Sequence, residues 1–381
     1  MGASANGPSV LAIASPAKTI SPLRGCYGAE DNQQNVRSLG RLAAVSSPAA
    51  AGAGFDDDFL ATGLADTRGV PLAGRQRETF LLRAAGYRDL AHGRLYEGHV
   101  NALQLIARVG TAEQRRLAAR DVAAGRLFGV WNTEAADGVR VVRGDGAASH
   151  LSGRKTFCSG AGRVGRAIVT GLLQSGPTQM FVLDTSALGG RIDRSFWQPF
   201  GMQASDSFAV TFDGMVANEI ETLGGPGAYA ASPWFEAGAA RFVAVQSGGV
   251  ERLADELAVW LRAGARHDDP LAVANLGACS IAAATTRLWA ERCAAQWQAF
   301  DDGAIASANL CATVDGARVA VERAALDVAE AVERGAGARG LLEPAPFSRL
   351  VSDLRMYLRQ PAPDQALMRA GRAALASNVR A

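Results

Sequence analysis

Two short stretches of this 381-residue chain place an aromatic residue two positions before a hydroxyl residue. Trp131 precedes Thr133 in the first stretch, and Phe157 precedes Ser159 in the second. On an extended strand residues i and i+2 share a face, so we expect each pair to lie on one side of its strand. An aromatic plane beside hydroxyls and free backbone groups suits a flat ring with a polar edge, such as a flavin. The apolar body of that ring favours stacking, and its edge requires oriented hydrogen bonds.

The same spacing also occurs in sheets that bind nothing, because many strands carry an aromatic and a Ser or Thr on one face. For Trp131 the alternative is a residue of the β-domain core, and the spacing does not choose between the two. The order of three motifs along the chain is more specific than any one of them.

These motifs resemble those of the acyl-CoA dehydrogenase superfamily. FGVWNTE (128–134) resembles its "TE" flavin strand, and GRKTFCSG (153–160) resembles its lysine–aromatic–x–hydroxyl strand. WQPFGMQAS (197–205), followed by SFAVTFDG (207–214), is similar to its "G-M-x-A-S … V-x-F-D-G" segment. The resemblance spans residues 75 to 370 approximately.

The resemblance implies a bound FAD between a middle β-domain and a C-terminal helical bundle, with a neighbouring subunit completing the site. It places Thr133 beside the pyrimidine edge of the flavin, Ser159 near its N5 atom and Phe157 against the ring. Trp131 and Asn132 are further candidates for cofactor binding. A homodimer or homotetramer is implied, and the apolar faces of the long C-terminal helices favour the same conclusion.

The phosphate end of the cofactor matches the family less well. The turn at 135–138 is shorter than the family's and lacks its serine. Arg266 is the nearest candidate for a pyrophosphate contact, although a solvated arginine at a helix start explains it equally well. The glycine-rich stretch 334–340 stands where the family has a turn that approaches the partner's FAD, but a helix end followed by a loop also accounts for its glycines.

The catalytic base is the main departure from the family pattern. Acyl-CoA dehydrogenation requires a carboxylate that removes the proton next to the thioester. The two places where the family keeps its glutamate fall on Pro361 and on Ala240, which precedes Arg241. Asp364 is a weak substitute, because an Asp that follows Pro at a helix start is more often a first-turn or capping residue. The catalytic residues therefore stay unknown at this point.

Composition sets the broad class of protein. The chain is 48% hydrophobic and 20% charged, with a formal net charge of +2, which gives no electrostatic case for nucleic acid or a membrane surface. Five scattered cysteines and four unclustered histidines indicate neither a disulfide framework nor a metal site. We expect a soluble, cytoplasmic protein without membrane insertion. Lysine occurs only as Lys18 and Lys155, and a single lysine on a strand is usually solvated.

Changes in hydrophobic period divide the chain. Residues 1–54 are rich in Ala, Ser, Gly and Pro and are expected to be flexible, whereas 55–125 has a helical period. Alternating short strands at 126–228 predict an antiparallel barrel or sandwich. From 229 to 381 the period is helical again and predicts an antiparallel bundle, with helices near 232–262, 268–300, 304–334, 346–358 and 364–376. The predicted fold class is α+β and multidomain: an all-α domain, a β-domain and a helical bundle.

Three functions remain open. The first is an FAD-dependent oxidoreductase acting on an acyl thioester, or on a related small acyl substrate, with a displaced base. The second is a monooxygenase of the same fold, which does not need the glutamate. The third is a non-catalytic subunit that keeps the fold.

Overall fold

The computed structural model describes residues 74–143, 149–218, 221–264, 266–360 and 362–377. The predicted flexible segment 1–54 and the first part of the predicted N-terminal helical domain lie outside these residues. So does Pro361.

Three helices open the described chain: α1 (Gly74–Arg88), α2 (Leu90–Val109) and α3 (Ala112–Ala123). Asp89 caps α2 by accepting a hydrogen bond from the backbone of His92. The predicted capping box of α3 is present, because Thr111 and Gln114 each bond the other's backbone N–H. These caps explain why the two helices begin at these residues.

Strands then follow from residue 128 to residue 223. They are β1 (Phe128–Trp131), β2 (Arg140–Arg143), β3 (Ser149–Ser152), β4 (Arg154–Cys158), β5 (Arg166–Leu173), β6 (Thr178–Asp184), β7 (Ile192–Asp193), β8 (Phe208–Thr211), β9 (Met215–Ala217) and β10 (Thr222–Leu223). In the described chain they form a seven-stranded sheet, ordered β10-β6-β5-β2-β3-β9 with β1 also on β5, and a three-stranded sheet, ordered β4-β8-β7. The arrangement is not purely antiparallel, because β5 pairs in parallel with both β1 and β2.

The remaining helices form the bundle. They are the short α4 (Trp234–Ala237), α5 (Ala240–Ala263), α6 (Pro270–Asp301), α7 (Ser307–Gly340), α8 (Phe347–Leu358) and α9 (Pro363–Ser377). Asp269 caps α6 with Pro270 at its first position, as its sequence predicts. A left-handed residue, Gly337, interrupts α7 near its end. The predicted order of helices, sheet and helical bundle is confirmed.

The N-terminal helices pack closely on the bundle where α1 crosses α5. A Cβ added at Gly86 would lie 2.0 Å from the carbonyl oxygen of Val245, and one added at Gly248 would lie 2.0 Å from that of Arg83. Arg83 and Glu251 form a buried ion pair of 2.6 Å across the same crossing. Only glycine allows the two backbones to approach so closely.

Helix α6 is, in the described part of the chain, the one helix with the length and apolar composition that could cross a membrane. It packs against α5 and α7, and only 22% of its most apolar window is buried. Leu271, Ile281 and Leu288 on this helix are 78%, 71% and 65% exposed. A long apolar surface is therefore left uncovered on the bundle.

Candidate functional site

A cavity of about 1110 Å³ lies among the end of β1, helix α2 and the bundle. Its walls come from the residues after β1, from one face of α2, from the start of α5, from the end of α6 and from α8 and α9. The lining combines aromatic and aliphatic side chains with many charged ones. A concave site of this size with both kinds of lining suits a cofactor together with a small substrate.

Asn132 and Thr133 lie on the wall of this cavity. Strand β1 ends at Trp131, so the strict alternation expected from the sequence does not reach Thr133. The backbone carbonyl of Thr133 accepts a hydrogen bond from the backbone of Thr156, which joins the two candidate flavin stretches. The Thr133 side chain is exposed and its hydroxyl has no protein partner within the described residues, which leaves it available to a ligand.

Phe157 also lines the cavity, and a β-bulge places it there. The pairing of β4 with β8 shifts between Lys155 and Cys158, and Phe157 has a φ of +53°. A bulky residue with positive φ is strained and is tolerated where its surroundings fix it. The Phe157 ring makes edge contacts with Phe196 and Trp197 at centroid distances of 5.3 and 5.9 Å. The bulge turns an aromatic ring out of the strand and into the cavity.

Trp131 and Ser159 stand behind the wall rather than on it. Trp131 is fully buried, and its indole N–H donates to the carbonyl oxygen of Ser159 over 3.0 Å. The Ser159 hydroxyl lies 2.9 Å from that of Ser207, which lies 2.8 Å from that of Ser205. The bulge breaks the predicted common face of Phe157 and Ser159, and the end of β1 at Trp131 separates Trp131 from Thr133. Both residues support the wall in the described structure.

Lys155 is buried, in contrast to the solvated lysine that its position on a strand suggests. Its ammonium donates to the carbonyl oxygen of Asn132 at 3.1 Å, to the hydroxyl of Thr170 at 3.0 Å and to the carboxylate of Glu134. Thr170 in turn donates to the side-chain oxygen of Asn132. Burial lowers the pKa of Lys155, and Glu134 opposes that effect. Asn132 is thus fixed from behind through its backbone and its side chain.

A polar stripe on α2, which the sequence motifs did not predict, forms another part of the wall. The stripe has spacings of three and four residues, which place its members on one helical face: Arg94, Glu97, Asn101, Gln104 and Arg108. This spacing is visible in the sequence, beside the apolar stripe that forms the buried face of the same helix.

Glu97 is the centre of the charge network on this stripe. It is 1% exposed and pairs with Arg94 at 2.6 Å and with Arg241 of α5 at 3.1 Å. Arg241 also donates to Gln104 at 2.8 Å. Burial and the Glu97 carboxylate raise the pKa of the neighbouring Tyr229 to about 12. Two guanidinium groups hold the Glu97 carboxylate in place.

The other candidates lie away from the cavity wall. Arg266 donates to the carbonyl oxygen of Gly335 at 3.1 Å and pairs with Asp269 at 2.6 Å, so the structure brings it together with the glycine-rich end of α7. Asp364 is exposed in the first turn of α9 and does not line the cavity. Neither residue is on the wall that holds Thr133.

The turn at Gly201 and Met202 links the β-domain to the bundle. A Cβ on Gly201 would lie 2.1 Å from the carbonyl oxygen of Ser352 in α8. The backbone N–H of Met202, which has a φ of +61°, donates to the carboxylate of Asp353. Burial raises the pKa of Asp353, and this hydrogen bond counteracts the shift. The close approach explains the glycine in this motif.

Four carboxylates line the cavity: Glu97, Glu236, Asp301 and Asp302. Asp301 pairs with Arg75 at 2.7 Å, and Asp302 accepts a hydrogen bond from Gln298. Glu236 of α4 differs, because its Oε2 atom is buried and has no hydrogen-bond partner in the described part of the chain. Within the described residues, no group of His, Cys, Asp and Glu side chains could hold a metal ion.

No protein-family model matches this chain, and no curated protein matches it by sequence. Solved structures match its fold over most of its length. The dibenzothiophene monooxygenase TdsC from Paenibacillus sp. A11-2, in complex with FMN and indole, is 18% identical with a TM-score of 0.74, covering 92% of this chain and 98% of that chain.

The methanesulfinate monooxygenase MsuC from Pseudomonas fluorescens is 20% identical with a TM-score of 0.74, covering 94% of this chain and 98% of that chain. Butyryl-CoA dehydrogenase from Megasphaera elsdenii is 14% identical with a TM-score of 0.73, covering 92% and 100%. Helices at both ends, a curled sheet between them and these full-length matches agree with the resemblance seen in the sequence. The chain has the acyl-CoA dehydrogenase fold.

Proposed function

We propose that this protein is an FAD-dependent oxidoreductase that acts on an acyl thioester or a related small acyl substrate. The observation that carries the proposal is the wall formed by Asn132, Thr133 and the strained Phe157 on a cavity of about 1110 Å³. Thr133 offers a free hydroxyl to the polar edge of a flat ring, and Phe157 offers an aromatic surface to its body. A bound flavin would supply the electron acceptor for the reaction.

The flavin is tested directly on the purified full-length protein. We expect a yellow protein, or a colourless one that takes up added FAD with a stoichiometry near one per chain. Chromatography of the released cofactor distinguishes FAD from FMN. Both are tested because the structure of TdsC contains FMN. A folded protein that binds neither FAD nor FMN would contradict the proposal.

We assign the role of general base to Glu236. Of the cavity carboxylates, Glu97 and Asp301 are held by arginines, whereas the Oε2 atom of Glu236 is buried and has no partner among the described residues. Glu236 lies one turn before Ala240, the position at which some members of the superfamily carry the base. A buried carboxylate with a free oxygen can take the proton from the carbon next to a carbonyl group.

Glu236→Gln tests this assignment, with Asp364→Asn as the matched control on an exposed acid outside the cavity. Loss of a positioned base lowers the rate by about 10²–10⁴-fold. We expect Glu236→Gln to slow the anaerobic bleaching of the flavin by acyl-CoA by such a factor and Asp364→Asn to leave it unchanged. Equal bleaching rates for Glu236→Gln and wild type would remove Glu236 from this role.

A second candidate function is oxygenation with reduced flavin, as the names of the monooxygenases TdsC and MsuC indicate for those proteins. The residues at Pro361 and Ala240 favour it, because the chain lacks a carboxylate at both places where members of the superfamily keep the base. Two results with the wild-type protein would establish this function instead. Its reduced flavin would consume oxygen as substrate is turned over, and its oxidised flavin would not be bleached by any acyl-CoA.

We further propose a soluble, cytoplasmic homodimer or homotetramer whose interface uses α6. Leu271, Ile281 and Leu288 present a large apolar surface to solvent in the single chain. Arg266, the candidate for a pyrophosphate contact, lies against Gly335 in the stretch that the resemblance places near a partner's FAD, and both residues are outside this chain's own cavity. A second copy on this surface would account for both observations.

Sedimentation of Ile281→Asp tests the interface, and Leu375→Asp is the control, since Leu375 is 73% exposed on α9. We expect the first variant to dissociate and to bind FAD more weakly, because each copy would lose the partner's contribution. The control is expected to stay assembled. A wild-type protein that sediments as a monomer at micromolar concentration would contradict the proposal.

A further inference from the structure

The cavity contains an arginine that no carboxylate of the described residues balances. Seven arginines line it, and five of these pair with an acid: Arg75, Arg94, Arg241, Arg359 and Arg369. For Arg108 and Arg318 the described residues provide no carboxylate within ion-pair distance. Arg318 is nevertheless near the charge of Asp315 and donates to the carbonyl oxygen of Gln360, so Arg108 is the less compensated of the two.

Arg108 is held in place without being neutralised. Its guanidinium carbon lies 4.6 Å from the ring centroid of Trp234, and one N–H donates to the carbonyl oxygen of Ala228 at 3.0 Å. A guanidinium group has five N–H donors, so most of them remain for another acceptor. Stacking on an aromatic ring fixes the plane of the group, which prepares it for bidentate recognition of a planar anion.

The neighbouring charges increase the need for an anion. Burial and the positive charge of Arg241 lower the pKa of Arg108. Glu97, the acid beside Arg241, already pairs with both Arg94 and Arg241. Two guanidinium groups that repel each other in a partly buried site are stabilised by an anion placed at the free one.

The surroundings of Arg108 also select the rest of the ligand. Leu105, Val130, Phe235 and Phe242 line the same cavity and offer apolar surface. An apolar body with one compact anionic group matches such a wall better than an inorganic anion does.

We propose that the substrate of this cavity carries, besides its reacting acyl group, an apolar body and a carboxylate or sulfonate-like anionic group bound by Arg108. The inference rests on the proposed function in that it takes this cavity as the substrate site. It goes further by naming the part of the substrate that is recognised and the residue that recognises it.

Calorimetry with 2-naphthoate, 2-naphthalenesulfonate and the neutral 2-naphthamide tests the inference on the full-length protein, with flavin content measured by absorbance. We expect wild type to bind the two anions at least about tenfold more tightly than the amide, as a charge-assisted hydrogen bond implies. In Arg108→Gln the affinities for the anions and for the amide should differ by no more than about twofold. Arg116→Gln, which removes an exposed charge from α3, should keep the wild-type ratio.

Three outcomes would overturn the inference. The first is a wild-type protein without preference for the anions, which decides the matter even if Arg108→Gln does not fold. The second is an Arg108→Gln protein with an unchanged preference for the anions and an unchanged affinity for FAD and coenzyme A. The third is an Arg108→Gln protein that loses affinity for FAD or coenzyme A while keeping its preference for naphthoate, because Arg108 would then bind a phosphate. A protein that binds no flavin but prefers the anions through Arg108 contradicts only the proposed flavin function.

Discussion

Replacing Lys155 by methionine should loosen the cavity wall at Asn132. Methionine keeps most of the length of the side chain and removes its charge. Three bonds are lost, to the carbonyl oxygen of Asn132, to the hydroxyl of Thr170 and to the carboxylate of Glu134. Asn132 lies on the cavity wall, so the change affects the ligand site as well as the fold.

The magnitude follows from the burial of each partner. A buried polar group left without its partner costs about 1–3 kcal/mol. Glu134 is 44% exposed in its side chain and regains water, so its contribution is small. The removal of a buried ammonium, whose pKa burial lowers, offsets part of the loss. We expect a net loss of about 2 kcal/mol in the free energy of unfolding.

Urea denaturation and FAD titration of Lys155→Met measure the two effects. Affinity for FAD should fall by about tenfold, which corresponds to ~1.4 kcal/mol, if the backbone at Asn132 and Thr133 shifts. Arg140→Met is the control, because it also removes a long cation from a strand but at an exposed position. A Lys155→Met protein with wild-type urea midpoint and wild-type FAD affinity would refute the assigned role of Lys155.

Three further outcomes are expected. Thr133→Ala should weaken FAD binding with little change in the free energy of unfolding. Ser159→Ala should lower the free energy of unfolding by about 1 kcal/mol through the lost hydroxyl contact and leave FAD affinity nearly unchanged. Urea denaturation and FAD titration measure the two effects. Gly248→Ala should destabilise the protein by more than about 2 kcal/mol, because its Cβ meets a backbone oxygen. Gly371→Ala on α9, with open space around it in the described chain, should be neutral or stabilising by up to about 1 kcal/mol in thermal melts. Burial lowers the pKa of His99 to about 4, below its value of about 6.5 in the unfolded chain. The contribution of His99 to the free energy of unfolding should therefore be complete above pH 6.5 and fall by roughly 3 kcal/mol as the pH drops to 4. Unfolding measurements on His99→Gln should show a flatter pH profile.

Local signals in the sequence predicted the helices well, because a cap acts within one turn. Thr111 with Gln114, and Asp269 with Pro270, begin their helices as expected. The change from helical to alternating period likewise located the strands. The parallel pairing of β5 was not visible, since it depends on which distant strand lies next to it.

The sequence indicated which residues belong to the candidate site better than it indicated how they are arranged. Thr133, Asn132 and Phe157 lie on one cavity, as their motif implied. The bulge that exposes Phe157 could not be read from the residues, because it depends on the pairing of β4 with β8. Lys155 was read as solvated because its partners Thr170 and Glu134 come from elsewhere in the fold.

The motif residues join two sheets as well as forming a wall. Strand β1 belongs to the seven-stranded sheet and β4 to the three-stranded one. The bonds from Trp131 to the Ser159 carbonyl and from Lys155 to the Asn132 carbonyl both link the chain at the end of β1 to the chain of β4. A wall built from two sheets keeps its shape only while these bonds hold the sheets together. Substitutions that break these bonds, such as Lys155→Met, should therefore change stability and ligand affinity together. Thr133→Ala, on the cavity wall, should affect the ligand alone.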